Sequence, residues 1–205
     1  MNVFVLCTGR CGSLSFARAC GHMTNFTSSH ESRVDRLGDD RLAYPDDHIE
    51  VDNRLSWFLG RLDRSFGDSA YYVHLTRDPA QVAASWARRF HVLGGMATGY
   101  RDHILAATSP KSGVTRLAAA TDYVRTVTEN IDAFLKDKSH VMRFRMEDAA
   151  TAFPDFWAWI GAEGDLRAAM AEWSKRHDTE HERLRLKQRI HDFAARGRRA
   201  WFPPS

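Results

Sequence analysis

Val3-Phe4-Val5-Leu6-Cys7-Thr8-Gly9-Arg10-Cys11-Gly12-Ser13-Leu14-Ser15-Phe16-Ala17-Arg18-Ala19-Cys20-Gly21 decides the fold of this chain. Val3–Cys7 is an unbroken apolar run with β-branched residues, the pattern of a strand buried on both faces. Leu14–Cys20 reads as a helix that Gly21 ends. Between them, Thr8–Ser13 is a glycine-punctuated turn. A buried strand, a tight turn and a helix N-terminus leave backbone N–H groups without intrahelical partners, and the helix dipole adds partial positive charge there. Gly9 and Gly12 allow positive φ and close backbone approach. Arg10 contributes a permanent cation and Ser13 a hydroxyl. The turn reads as an anion-binding loop. It is not the nucleotide-triphosphatase form, because Gly12 is followed by Ser13-Leu14 and not by the Lys-Ser/Thr that grips β/γ-phosphates and magnesium.

A second stretch makes the reading sharper. Ala70–Thr76 is a strong strand, closed by Arg77-Asp78-Pro79, with Asp78 a cap and Pro79 in the first turn of a helix over 80–90. Arg77 leaves the carboxyl end of that strand, the edge where open α/β sheets bind ligands. Ser85 follows eight positions later, about two helical turns on. A guanidinium and a hydroxyl so placed can hold one phosphate from two sides.

The rest of the chain alternates strands and helices. Phe26–Ser29 leads a short segment back to the sheet's carboxyl edge, and 34–47 reads as a surface loop or short irregular helix. His48–Asp52 alternates polar and apolar residues as a strand. Asn53 is positioned to cap a helix over 54–66, and 91–114 reads as an irregular excursion. A helix over 116–136 directs Leu117, Tyr123, Val124, Val127, Ile131 and Phe134 inward. A strand over 140–144 follows, then helices over 153–160, 165–176 and 178–195. This order implies an α/β, P-loop-like three-layer fold, a mostly parallel central sheet flanked by helices, as one domain over 1–205.

Composition narrows the classes further. A net charge of +3 makes no demand for nucleic acid. No segment approaches the roughly 18–20 apolar residues of a membrane span. The three cysteines are odd in number, and Cys7 and Cys20 lie inside apolar segments, which points to reduced thiols and a cytoplasmic setting. The histidines lack metal-ligand spacing, so no metal site is expected.

Gly9-Arg10-Cys11-Gly12-Ser13-Leu14 together with Arg77 and Ser85 resembles the sulfotransferase superfamily, in its bacterial-type single-domain form. Arg77-Asp78-Pro79-Ala80-Gln81-Val82-Ala83-Ala84-Ser85 matches that family's Arg-then-Ser phosphate motif closely, and Arg143–Ala149 is a looser third echo. Leu14 departs from the family loop, which has a hydroxyl there. The resemblance implies 3′-phosphoadenosine 5′-phosphosulfate as sulfuryl donor and adenosine 3′,5′-bisphosphate as product. Gly9, Arg10, Cys11, Gly12, Ser13 and Leu14 would hold the 5′ end, and Arg77 and Ser85 the 3′-phosphate. Arg10 would also stabilise charge during transfer, and no magnesium is implied.

Glu31 and His30 are the expected bases for the acceptor, Glu31 preferred because Arg33 resembles its partner in a Glu-x-Arg pairing. Asp52 and His48 are runners-up. Trp57 and Trp86 are core or donor-stacking residues, and Arg196-Gly197-Arg198-Arg199 is a solvated basic tail or a donor contact. Small-molecule (such as phenol), carbohydrate, lipid and peptide-tyrosine acceptors would all fit. A P-loop kinase of a nucleoside or small metabolite, or a non-catalytic nucleotide-binding module, are the alternatives.

Overall fold

In a computed structural model, residues 1–92 and 95–175 are described, and Met1–Ser174 forms one compact unit. Five strands among the described residues build one sheet: β1 Val3–Cys7, β2 Thr27–His30, β3 His48–Val51, β4 Tyr71–Thr76 and β5 Val141–Arg145. Their order is β2-β3-β1-β4-β5 and every pairing is parallel. β1 is central, with all five residues fully buried, as its continuous apolar run requires.

Among the described residues, seven α-helices accompany the sheet: α1 Ser13–Cys20, α2 Leu59–Phe66, α3 Pro79–Ala87, α4 Met96–Gly99, α5 Arg116–Leu135, α6 Ala149–Trp159 and α7 Leu166–Ala171. Phe16 of α1 is the hub of one layer, edge-on to Phe144, Phe153, Phe156 and Trp173. On the sheet, Phe4 packs on Phe66 of α2, and Tyr72 packs edge-on to Phe134 of α5. Such aromatic pairs bury large area and add about 0.5–1.5 kcal/mol each beyond it.

Several sequence expectations need correction. β2 is a strand although Thr-Ser-Ser-His has no apolar run. Its polar side chains are satisfied instead, Ser28 Oγ donating to the Ala17 carbonyl at 3.0 Å and Thr27 Oγ1 lying 2.8 Å from His48 Nδ1. The 54–66 helix is broken into a 3-10 turn, Asn53–Trp57, and α2. Asp52 caps that turn, its Oδ1 accepting from Arg54 N at 2.8 Å, while Asn53 is inside it. The polar residues of β3 do not face water, since His48 and Glu50 are both buried. Leu117 points outward and is 53% exposed. The excursion 91–114 contains α4 and a π-helical turn, Tyr100–Ile104, fastened to α5 by Tyr100 OH donating to Asp122 Oδ2 at 2.6 Å. The expected helix over 178–195 and the run 196–199 lie outside the described residues.

Candidate functional site

All five strands end on one carboxyl edge, and the β1–α1 turn lies at its centre. Gly9, Arg10 and Gly12 have φ of 74°, 61° and 90°. Left-handed backbone costs Arg10, as a non-glycine residue, about 1–2 kcal/mol, so the surroundings must hold the turn in shape. They do so from below. The Thr8 carbonyl accepts from both Trp86 Nε1 and Tyr123 OH, each at 3.1 Å. Trp86 is therefore a buried floor of the loop. Gly12 caps α1 in left-handed geometry, and its carbonyl accepts from Phe16 N at 2.9 Å. Consecutive N–H groups in such a turn make an anion-binding concavity.

The mid-chain pair meets this loop directly. Arg10 Nε donates to Ser85 Oγ at 3.2 Å, and Arg77 Nη1 approaches the Arg10 carbonyl at 3.5 Å. Arg77 is further fixed by Gln81 Oε1 at 2.7 Å. Asp78 caps α3 as its sequence predicts, its Oδ1 accepting from Gln81 N. The third echo joins in as well. Glu147 Oε1 accepts from Asp78 N at 2.8 Å, and Met146 Sδ lies 3.0 Å from where a Cβ on Gly12 would stand. That bond, with Arg145 and Arg77 nearby, holds Glu147 below the usual carboxylate range.

The end of β2 supplies the other side. His30 Nε2 stands 3.0 Å from Ser13 Oγ, so a side chain of the β2 edge touches the β1–α1 loop. Glu31 adopts φ 52° and its Oε2 accepts from Arg54 Nη1 at 2.8 Å. The expected Glu31–Arg33 pairing is corrected here. Arg33 Nη1 donates to the Asp40 carbonyl and its guanidinium lies over Tyr44. Arg54 from the neighbouring strand end pairs with Glu31 instead.

Asp52 and His48 are interior residues. Asp52 is fully buried in an ion pair with Arg41 at 2.5 Å, and burial raises its pKa even so. His48 Nε2 lies 3.1 Å from Glu50 Oε2, whose two oxygens also take Ser32 N and Oγ. Burial opposes ionisation of Glu50, but the His48 and Ser32 bonds win and lower its pKa. Sequence reasoning missed Arg54, Arg41 and Asn53. Arg54 and Asn53 follow β3 at the same sheet edge as Arg77, which is the one signal that could have found them. Trp57 is 40% exposed rather than core.

Two solved structures share this architecture. The sulfotransferase domain from the curacin biosynthetic pathway superposes with TM-score 0.60 at 11% identity, over 85% of this chain and 78% of that one. A sulfotransferase from Alicyclobacillus acidocaldarius gives TM-score 0.54 at 12% identity, over 95% and 91%. The chain has a sulfotransferase fold. No family model matches its sequence, and no curated protein does. Within the sulfotransferase fold, this chain carries its Arg-and-glycine loop on the central strand, where Arg77 and Ser85 reach it from β4 and α3. No helix among the described residues is long and apolar enough to cross a membrane.

Proposed function

We propose that the protein transfers a sulfuryl group from 3′-phosphoadenosine 5′-phosphosulfate to an acceptor hydroxyl or amine. One observation carries this reading. Two anion-gripping motifs, separated by more than sixty residues, touch at Arg10 and Ser85 on one sheet edge, close enough to serve one small bis-anionic ligand. The glycine loop and Arg10 would hold the 5′ end, and Arg77 with Ser85 the 3′-phosphate. The sulfotransferase fold supports the choice of chemistry over a kinase.

In-line sulfuryl transfer needs charge stabilisation on the transferring group and leaving oxygen, and a base for the incoming nucleophile. The bond from sulfur to the donor's phosphate oxygen breaks as the bond to the acceptor oxygen or nitrogen forms. The leaving phosphate keeps the electron pair, and the acceptor proton passes to the protein. Arg10 and the Gly12 and Ser13 amides face the developing charge. His30 and Glu31 are both candidate bases, each held by a partner, Ser13 Oγ and Arg54 respectively, and we place His30 first because its Nε2 touches the loop itself. Three buried cysteines with no disulfide suit a reducing, cytoplasmic setting.

The test is calorimetric titration with adenosine 3′,5′-bisphosphate, followed by labelled-donor turnover over a panel of small-molecule, carbohydrate and lipid acceptors. Micromolar binding and transfer without added magnesium are expected. Magnesium-dependent consumption of ATP with no bisphosphate binding would select the kinase. His30→Gln should lower turnover by roughly 10²–10⁴-fold with bisphosphate affinity unchanged, and Glu31→Gln should lower it less. The reverse order returns the base to Glu31.

A further inference from the structure

Among the described residues, three buried side-chain polar atoms lack any hydrogen-bond partner: Asn53 Oδ1, His74 Nε2 and Trp173 Nε1. Buried polar atoms are nearly always paired, so each exception asks for a cause. Trp173 belongs to the aromatic layer around Phe16, and His74 lies on β4 facing Asp132 of α5. Asn53 is different, because its amide lies against the anion loop. It is 5% exposed, and its Nδ2 stands 2.5 Å from where a Cβ on Gly9 would be. The parallel register pairs Val5 with Val51, so Asn53 follows β3 level with the point where β1 enters the loop. Ser56 Oγ donates to its carbonyl at 2.6 Å, and the Asp52 cap fixes the turn it begins, so the backbone here is rigid. A buried carboxamide with an unused acceptor atom destabilises the free protein, and turning the amide so that Oδ1 faces the loop, where Nδ2 now lies, would let a bound hydrogen-bond donor relieve that burden.

We propose that Asn53 is a substrate contact, its Oδ1 receiving the hydrogen bond of a ligand hydroxyl beside the Gly9–Ser13 loop. This rests on the sulfuryl-transfer reading and adds a residue to it. The hydroxyl has two possible sources in that chemistry, the ribose 2′-hydroxyl of the donor nucleotide and the nucleophilic hydroxyl of the acceptor. Both present the same O–H to the carboxamide.

Asn53→Leu separates a ligand contact from a structural amide. The leucine is close in size and has no polar atom to strand, so its melting temperature should equal or exceed that of the wild type. Each protein is titrated with adenosine 3′,5′-bisphosphate and with its 2′-deoxy analogue. Release of labelled sulfate from the donor, with water as acceptor, is measured in parallel. A tenfold or greater loss of bisphosphate affinity that vanishes with the deoxy analogue assigns the contact to the ribose. Unchanged affinity with a tenfold or greater fall in sulfate release assigns it to the acceptor position. If affinity and release both stay within twofold of wild type, the proposal is wrong and the amide is structural. Where wild-type release is too slow to read, the titration alone decides. A wild type that binds neither nucleotide removes the sulfuryl-transfer reading, and the proposal with it. Asn53→Ala gives the same comparison if the leucine variant does not fold.

Discussion

Arg10 Nε donates to the Ser85 hydroxyl at 3.2 Å across a sequence separation of 75 residues. The contact joins the loop after the central strand to the second turn of α3. It puts the side chains proposed to hold the two ends of one nucleotide within a single hydrogen-bonded unit, completed by Arg77 at the Arg10 carbonyl.

The unit predicts a hierarchy of donor-binding losses. Arg77→Ala removes a charged donor, and hydrogen bonds to charged groups are worth about 1.5–3 kcal/mol, so bisphosphate affinity should fall about 10- to 150-fold. Ser85→Ala removes one uncharged donor to the same phosphate and should cost less, about 1.5 kcal/mol, the low end of that range. Calorimetry at fixed ionic strength checks both. Equal losses for the two variants, or none for Arg77→Ala, would remove the phosphate role from β4's end.

Gly9 and Gly12 should not tolerate alanine equally. At Gly9 a Cβ would meet Asn53 Nδ2 at 2.5 Å and Trp86 Cζ2 at 2.9 Å, both buried and held in place. At Gly12 the neighbour is the flexible Met146 side chain, at 3.0 Å from Sδ. Both positions pay left-handed strain of about 1–2 kcal/mol, but only Gly9 adds overpacking of about 1–3 kcal/mol. Thermal melts should show Gly9→Ala well below Gly12→Ala. Matching melting temperatures would mean that Asn53 and Trp86 move aside.

What the sequence disclosed, and what it concealed, follows from how each element is stabilised. β1, β4 and α3 were legible because their signals are local: apolar runs, an Asp-Pro cap, and a glycine turn. β2 was hidden because it is an edge strand stabilised by side-chain hydrogen bonds from Thr27 and Ser28, which leave no periodic apolar trace. β3 misled by alternation. His48 and Glu50 are polar residues in an alternating strand, yet both are buried, because they satisfy each other and Ser32. The Arg54 contact of Glu31 was out of reach because it is non-local. Arg33 is near in sequence, whereas Arg54 becomes adjacent only when β2 pairs with β3 in register.

The buried pair Arg41–Asp52 anchors the β2–β3 connection to the end of β3. Arg41 is 1% exposed, gives Nη2 to Asp52 at 2.5 Å and Nη1 to Tyr44 OH at 3.0 Å, and lies over the Phe58 ring. Removing one member strands a buried charge, so Asp52→Leu or Arg41→Met alone should cost about 3–5 kcal/mol. The double variant should recover much of that, since apolar replacements of a buried pair are often neutral. Denaturant unfolding of the three variants measures the coupling. Additive losses in the double variant would show that the two charges stabilise the fold through separate partners.

His74 predicts a pH dependence of stability with a definite sign. It is 1% exposed, with Nδ1 at 3.0 Å from Asp132 Oδ1, and Arg143 Nη1 lies 2.5 Å from the same oxygen. Burial lowers the His74 pKa by more than Asp132 raises it, so the folded state keeps the ring neutral. The unfolded chain takes up the proton first, near the ordinary value of about 6.5. Stability should therefore be level above neutral pH, fall as pH drops through that value, and level again below the depressed one. Asp132 acts in another window. Burial opposes its ionisation, but the Arg143 and His74 interactions lower its pKa, so its contribution is lost only in more strongly acid solution. Melting temperatures from pH 8 to 5 should show the first fall, each kcal/mol appearing as about 2–4 °C. His74→Gln, which cannot titrate, should remove most of that slope while leaving the acid loss below about pH 4. An unchanged slope in His74→Gln would assign the neutral-range titration to another histidine.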